Sequence, residues 1–355
     1  MRKTLVSLAV LSIFCNPAKA QSSVTIYGIL DVNVAAISTG AATNSHVTQM
    51  TSSSATTSFI GFRGTEDLGD GLSAIFVLES QLALDTGVGG GTAFTGTNPG
   101  VASLYNLSNY VGLKGNFGKV TFGRHLTSGA VALLNGVAII DGANTGMVTA
   151  TLPQGLANDY WNSNQAKFES LEYGGFSLQT NYAFGEVSGD NKAGTNFGGT
   201  VTYLNGGFKT VAGMQRDNDR LGHHVDWSVL SASYKTGKFK VTGTFTNVNN
   251  SNPPVLSSGL PWRDSKMWSV GGNYLITTQL SVAAQFFNLK ENITNTTSKQ
   301  LVLNADYALS KRTSLYTLIT RNHNGKVPIS AISGAPASAV NAQSGAVALG
   351  IKHLF

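Results

Sequence analysis

Apolar side chains recur at every second position along most of this chain. In "FKVTGTFT", Phe239, Val241, Gly243 and Phe245 share one face, and Lys240, Thr242, Thr244 and Thr246 the other. In "LSVAAQF", Leu280, Val282, Ala284 and Phe286 oppose Ser281, Ala283 and Gln285. In "VTIYGILDVNV", Val24, Ile26, Leu30 and Val32 oppose Thr25, Tyr27, Asp31 and Asn33. A period of two belongs to strands with two unlike faces. Beyond the first twenty residues no apolar run reaches the roughly 20 residues that a membrane-spanning helix requires. Two all-β solutions remain: a soluble sandwich with one wet face, or a barrel whose outer face meets lipid.

The links between strands separate the two. Short turns read as "EDLGDG" at 66–71, "NFGK" at 116–119, "LNGG" at 204–207, "KTGK" at 235–238 and "LSKR" at 309–312. Long polar links occupy 38–54, 82–105, 126–160, 248–264 and 322–343. Short turns at one rim and long loops at the other are the asymmetry of outer-membrane barrels. The strand count reads as sixteen, the even number that closure with both termini on one side requires. Aromatic residues near strand ends, such as Tyr173, Phe176, Tyr182, Phe184, Trp268, Tyr274 and Phe355, suit two interfacial girdles. In a sandwich they would be core residues.

Residues 1–20 read as a cleaved secretory signal peptide. Arg2 and Lys3 precede an apolar stretch from Leu5 to Phe14, and Ala18-Lys19-Ala20 is a small-x-small cleavage pattern. The working chain then spans 21–355 as one domain without a linker. Cleavage removes Arg2, Lys3 and Lys19 but none of the 18 acids, so the net +6 of the full sequence overstates its basicity. No concentrated basic stripe marks a nucleic-acid partner. Cys15, the one cysteine, leaves with the leader, and with it any disulfide or thiol chemistry.

At this point several stretches carry a family resemblance: "SSVTIYGILD" (22–31), "SFIGFRGTEDLGDGLSAIFVLES" (58–80), "NYVGLKGNFGKVTFGRH" (109–125), "YALSKRTSLY" (307–316) and "GIKHLF" (350–355). Together they resemble, in order and across the whole mature chain, the general diffusion porins of Gram-negative outer membranes, in the beta-proteobacterial branch. The resemblance implies a 16-stranded antiparallel transmembrane β-barrel, a homotrimer embedded in outer-membrane lipids, and a water-filled path for small solutes and ions. It also implies that the third external loop, residues 126–160, folds inward and narrows the barrel.

The resemblance further identifies wall positions. Where relatives carry lumen arginines this chain has Phe59, Leu107 and Trp161. Arg63, Arg124 and Lys167 remain as basic groups expected to face the lumen, with Glu79 on the wall and Asp141 as the acid of the loop. The alternative is that Arg63 and Arg124 only pair with carboxylates such as Glu79 or Asp31. Fewer wall cations imply weakened anion selectivity. Phe355 closes a strand whose alternate residues Val347, Leu349, Ile351 and His353 are expected to face lipid. The resemblance makes it the residue read by the barrel-assembly machinery.

Other functional classes find little support. The histidines, His223 and His224 included, sit at no zinc-site spacing, and "GVGGGT" at 87–92 lacks the lysine of a phosphate loop. No nucleophile elbow is present. The reading is therefore a channel, with no catalytic residue, cofactor or metal. A secreted sandwich adhesin would explain the alternation but not the unequal rims.

Overall fold

The computed structural model describes residues 23–43, 45–90, 103–137, 160–252 and 264–355. The expected leader lies outside these residues. Their strands are β1 (Ser23–Ser38), β2 (His46–Ser52), β3 (Phe59–Gly69), β4 (Leu72–Ala83), β5 (Val88–Gly89), β6 (Asn109–Gly115), β7 (Gly118–Leu126), β8 (Trp161–Glu169) and β9 (Phe176–Ala183). They continue as β10 (Asn196–Asn205), β11 (Phe208–Asn218), β12 (His224–Thr236), β13 (Phe239–Asn250), β14 (Ser265–Leu275), β15 (Leu280–Glu291), β16 (Thr296–Ala308), β17 (Thr313–His323) and β18 (Gln343–Leu354). Among the described residues one helix, α1 (Ser128–Val137), follows β7.

Every strand pairs antiparallel with its neighbours, and the sheet closes on itself through β1 and β18, Ile29–Ser38 running against Leu354–Gly345. On its other edge β1 takes two partners in series. β3 lies beside Ser23–Ile29 and β2 beside Val32–Ser38. β2 and β3 are thus one wall strand with a break at 53–58, and β5 is a two-residue pairing on the tip of β4. The wall has sixteen strands, as expected. A closed cylinder leaves no ladder groups unpaired toward lipid, which is why it can span a bilayer without helices.

The two faces follow the alternation. Val24, Ile26, Phe122, Leu230, Phe245, Leu349 and Ile351 are exposed on the outside, while Asp31, Asn33, Thr121, Gln285 and Ala348 are buried inside. Phe117, Phe176, Phe208, Tyr234, Phe239, Tyr274 and Tyr307 are exposed near the short-turn end, where an aromatic girdle belongs. All five expected short turns join strands. The 38–54 link is shorter than expected, because His46–Ser52 returns to the sheet as β2. At the same rim the links 219–223 and 292–295 are brief as well.

The dry core lies inside the cylinder, not between two sheets. Trp227, Val211 and Val229 of the wall bury Ala130, Ala132 and Leu133 of α1. Phe287, Leu289, Val302, Leu318 and Ala348 belong to the same cluster as Val327, Ile329, Ala331 and Ile332, which lie between β17 and β18. That segment was expected to be a polar external loop. Its apolar side chains instead turn into the barrel, because the inner wall facing them is apolar too.

Candidate functional site

The lumen is built by what enters it. α1 begins at Thr127, whose hydroxyl accepts the Ala130 N–H at 3.2 Å as an N-cap. Asn181 Oδ1 accepts the Ser128 N–H at 2.8 Å, and the Thr200 hydroxyl donates to the Ser128 carbonyl at 2.7 Å. At the other end the Gly136 carbonyl, one of the groups a helix cannot satisfy itself, accepts three wall hydroxyls. Ser231, Thr242 and Thr244 donate to it at 2.8, 3.0 and 3.2 Å. A Cβ at Gly136 would fall 2.6 Å from that of Ser231, so only glycine allows this approach. The expected inward turn of the third external loop is present, with α1 packed on β10 to β13. Asp141 lies outside the described residues.

The 53–58 break in the wall is organised by Asp31, which is fully buried. Its Oδ2 accepts the N–H groups of Ala55 and Thr56 at 2.7 and 2.8 Å, and its Oδ1 accepts the Tyr316 hydroxyl at 2.5 Å. The Ser58 hydroxyl accepts the Asp31 N–H at 2.9 Å. Asp31 is therefore a backbone cap, not an arginine's partner.

Arg63, Glu79 and Phe59 are brought together on β3 and β4, around a residue that the sequence reading did not single out. Tyr27 donates to Glu79 Oε1 at 2.6 Å, and its ring meets Phe59 edge-on with centroids 5.6 Å apart. The Arg63 guanidinium sits 4.6 Å from the centre of the same ring. Arg63 is exposed, and among the described residues no carboxylate lies within 4.0 Å of it. Pairing with Glu79, the alternative reading, does not occur.

The remaining expectations separate. Lys167 is buried on the inner face, donates to the Leu126 carbonyl at 3.2 Å and lies 3.8 Å from Glu169. Arg124 is half-buried and donates to the Asn106 carbonyl at 2.9 Å and the Ser163 hydroxyl at 3.1 Å. Strand alternation sets it with the outward Phe122, apart from the inward His125 that stacks on Tyr110. Leu107 is buried in the segment before β6. Trp161 pairs with Leu126 and lies against the Tyr160 ring, centroids 4.9 Å apart, with its neighbour Asn162 on the buried inner face.

Lumen lysines were missed, among them the four that follow. Lys119, Lys209, Lys240 and Lys352 alternate with outward Phe122, Phe208, Phe239 and Ile351, so the period-two pattern already contained them. They gather toward the short-turn rim. Lys119 pairs with Glu169 at 3.0 Å and Lys352 with Asp306 at 3.6 Å. Lys209 donates to the Asn135 carbonyl of α1 at 3.4 Å.

Among the described residues no group of three or more His, Cys, Asp or Glu side chains is arranged to hold a metal ion. His223 Nδ1 meets Asp219 at 2.7 Å in the link between β11 and β12, and His224 lies 3.8 Å from Asp226. Slight burial acts to raise the Asp219 carboxyl, but bonds from the His223 ring and the Leu221 and His223 amides hold it below the usual carboxylate range.

Residues 7–326 match a family described as Gram-negative porin. The outer membrane porin protein 32 of Delftia acidovorans is 30% identical over 380 residues, covering 100% of both chains. The structure of an anion-selective porin from Comamonas acidovorans superposes with a TM-score of 0.79 at 27% identity, over 94% of this chain and 100% of that one. A trimer form of OmpT from Vibrio cholerae matches in fold, with a TM-score of 0.67 at 17% identity over 94% and 99% of the two chains.

Proposed function

The chain belongs to the Gram-negative porin family and is an outer-membrane channel for passive diffusion of small hydrophilic solutes and ions, and on that premise we propose that its passage runs between α1 and the wall carrying Tyr27, Phe59, Arg63 and Glu79. The observation that carries this reading is α1 itself, held across the inside of a closed cylinder by wall hydroxyls at both ends. A channel narrowed this way sorts solutes by size, and by the charge that faces them.

The charge pattern supports a weak anion preference. Arg63, Lys119, Lys167, Lys209, Lys240 and Lys352 face inward with Glu79, Glu169 and Asp306, and the inward Asp31, Asp217 and Glu291 are buried and held by amide donors. Among the accessible groups cations outnumber acids, yet Lys119, Lys167 and Lys352 each lie within 4.0 Å of a carboxylate, which dilutes their field. Arg63 is the exposed cation beside Tyr27. Reversal potentials across a planar bilayer in a salt gradient test this, with a modest anion preference expected that falls on Arg63→Gln. Cation preference, or selectivity as strong as that of an arginine-lined pore, would overturn it.

The same reading takes residues 1–20 as a leader removed on export, the working assembly as a homotrimer in outer-membrane lipid, and Phe355 as the mark read by the assembly machinery. Phe355 and Gly28 exchange two backbone hydrogen bonds of 3.2 Å, so the terminal residue is part of the closing seam. Deleting it is expected to lower outer-membrane levels without lowering export to the periplasm.

A further inference from the structure

The outer face of β14 to β17 carries basic side chains that no carboxylate among the described residues neutralises. Lys266 of β14 stands directly opposite Lys290 of β15, and Lys299 of β16 directly opposite His323 of β17. Arg321 shares the outward face of β17, opposite Leu301, and donates to Gln343 Oε1 at 2.6 Å. All five are exposed and alternate with the buried, inward Met267, Leu289, Gln300 and Asn322. Like charges facing each other across a ladder repel. No described carboxylate lies within 4.0 Å of any of the five. Asp264, two residues before Lys266, instead accepts the Asn292 amide at 2.6 Å, and the buried Glu291 accepts the Ile293 and Thr294 N–H groups. The contrast is Arg216, also outward, which Asp226 neutralises through two bonds of 2.6 Å.

Their height on the wall says what they meet. Lys266, Lys290, Lys299 and Arg321 each stand eight to ten residues from the short-turn end of their strands. On strands tilted by about 40° that is roughly 20–25 Å along the barrel axis, the height of the apolar band of an outer-membrane barrel. The cations therefore sit where acyl chains give way to headgroups on the long-loop side. Below them Trp268 lies against Phe286, ring centroids 5.6 Å apart. Further down a groove of about 560 Å³ runs over Gly272, Ala284, Ala305 and Thr317, one small residue from each of four neighbouring strands, between Tyr274 and Ile319. We propose that this face binds a phosphorylated, acylated lipid of the outer leaflet. Lys266, Lys290, Lys299 and Arg321 hold headgroup phosphate, and one acyl chain lies in the groove. Phosphate oxygens accept charge-assisted bonds from ammonium and guanidinium groups alike, which turns the mutual repulsion of the lysines into shared attraction. Lys290 and Ala284 lie about 20 Å apart along β15, a distance that a chain descending from the headgroup covers.

The proposal rests on the outer face of the barrel meeting lipid, and conductance tests the channel reading separately. Native mass spectrometry of the assembled protein should show diphosphoryl lipid A retained, and fully dephosphorylated lipid A retained roughly tenfold more weakly. Lys266→Gln combined with Lys290→Gln should weaken retention of the diphosphoryl form by about the same factor, with conductance unchanged because both side chains face away from the lumen. Lys311→Gln, a charge-matched change in the 309–312 turn, should leave retention as it was. Filling the groove with Ala284→Leu and Ala305→Leu should also weaken retention. Equal retention of the two lipids by the unmodified protein would overturn the site, and that comparison decides the matter even where a variant fails to assemble. Undiminished retention by the double lysine variant would overturn it as well. Displacement of the lipid by inorganic phosphate, but not by chloride at matched ionic strength, would mean a free-anion site and refute the lipid assignment. Unmodified protein that retains the lipid but forms no channels would overturn the channel reading alone.

Discussion

α1 and the 324–342 segment both lie inside the barrel, yet they are fastened by different means. α1 satisfies its own backbone along its length, so the wall need only treat its ends, through Asn181 and Thr200 at one and Ser231, Thr242 and Thr244 at the other. The 324–342 segment has no internal ladder, and Ser298, Asn322, Gln49 and Ser54 meet its backbone groups singly. A helix can therefore cross a lumen on few anchors, while an irregular segment needs a wall written for it residue by residue. The far end of α1 is held by small hydroxyls alone, whereas the segment is held by hydroxyls and amides together.

The contrast can be broken most strongly at the end of α1. Combining Ser231→Ala, Thr242→Val and Thr244→Ala should cost roughly 3 kcal/mol, about 1 for each bond, and should appear as open-channel noise and a lower dissociation temperature of the oligomer on gels. Quiet channels in that variant would mean that apolar contact alone holds the helix. Next in size, Asp31→Asn leaves the Tyr316 hydroxyl or the Ala55 and Thr56 amides without their charged acceptor, at roughly 2 kcal/mol. Because Ser54 lies in that break and donates to the Ser333 carbonyl, the effect should reach the 324–342 segment but spare α1, which single-channel recording resolves as a new conductance level. Asn322→Ala removes the donor to the Ile329 carbonyl, and a loss of about 1 kcal/mol is expected, seen as a small increase in the same level.

The smallest effect belongs to neither insert. The Asp219 carboxyl is held below its ordinary range by the His223 ring and two backbone amides, so its contribution is present above the unfolded carboxylate range and fades as pH falls through the depressed value. Protection of the 219–223 amides, taken relative to the intrinsic exchange rate at each pH, should therefore fall under acid, and Asp219→Asn should show the lower protection already at neutral pH. Exchange within the two lumen inserts should not follow it.

Most of the wall was legible because lipid on one side and a different environment on the other impose a period of two. The strand count, the short turns and the outward set of Val24, Ile26, Phe239 and Phe245 follow from that alone. The same rule would have found Lys119, Lys209, Lys240 and Lys352, each flanked by outward apolar residues. What periodicity does not encode is where an aperiodic segment goes. Residues 324–342 carry Val327, Ile329 and Ile332 within a Ser, Ala and Gly background, and their destination is set by Phe287 and Leu318, which lie on other strands. The Tyr27 cluster was hidden for a related reason. Tyr27, Arg63 and Glu79 meet only through the register of three strands. The 126–160 loop's inward turn came from resemblance, since its length fits an outward excursion equally well.

The hydrogen bond from Tyr316 to Asp31 joins groups 285 residues apart, one on the first strand and one on the next-to-last. It cannot form until nearly the whole chain has been made and the cylinder has shut. The amides of Ala55 and Thr56 lean on that same carboxylate, and Ser54 beside them donates to the Ser333 carbonyl. A barrel still open at its seam would lack the scaffold for its own filter, so leakiness in a half-built channel and completion of its sieve are separated by one ring closure.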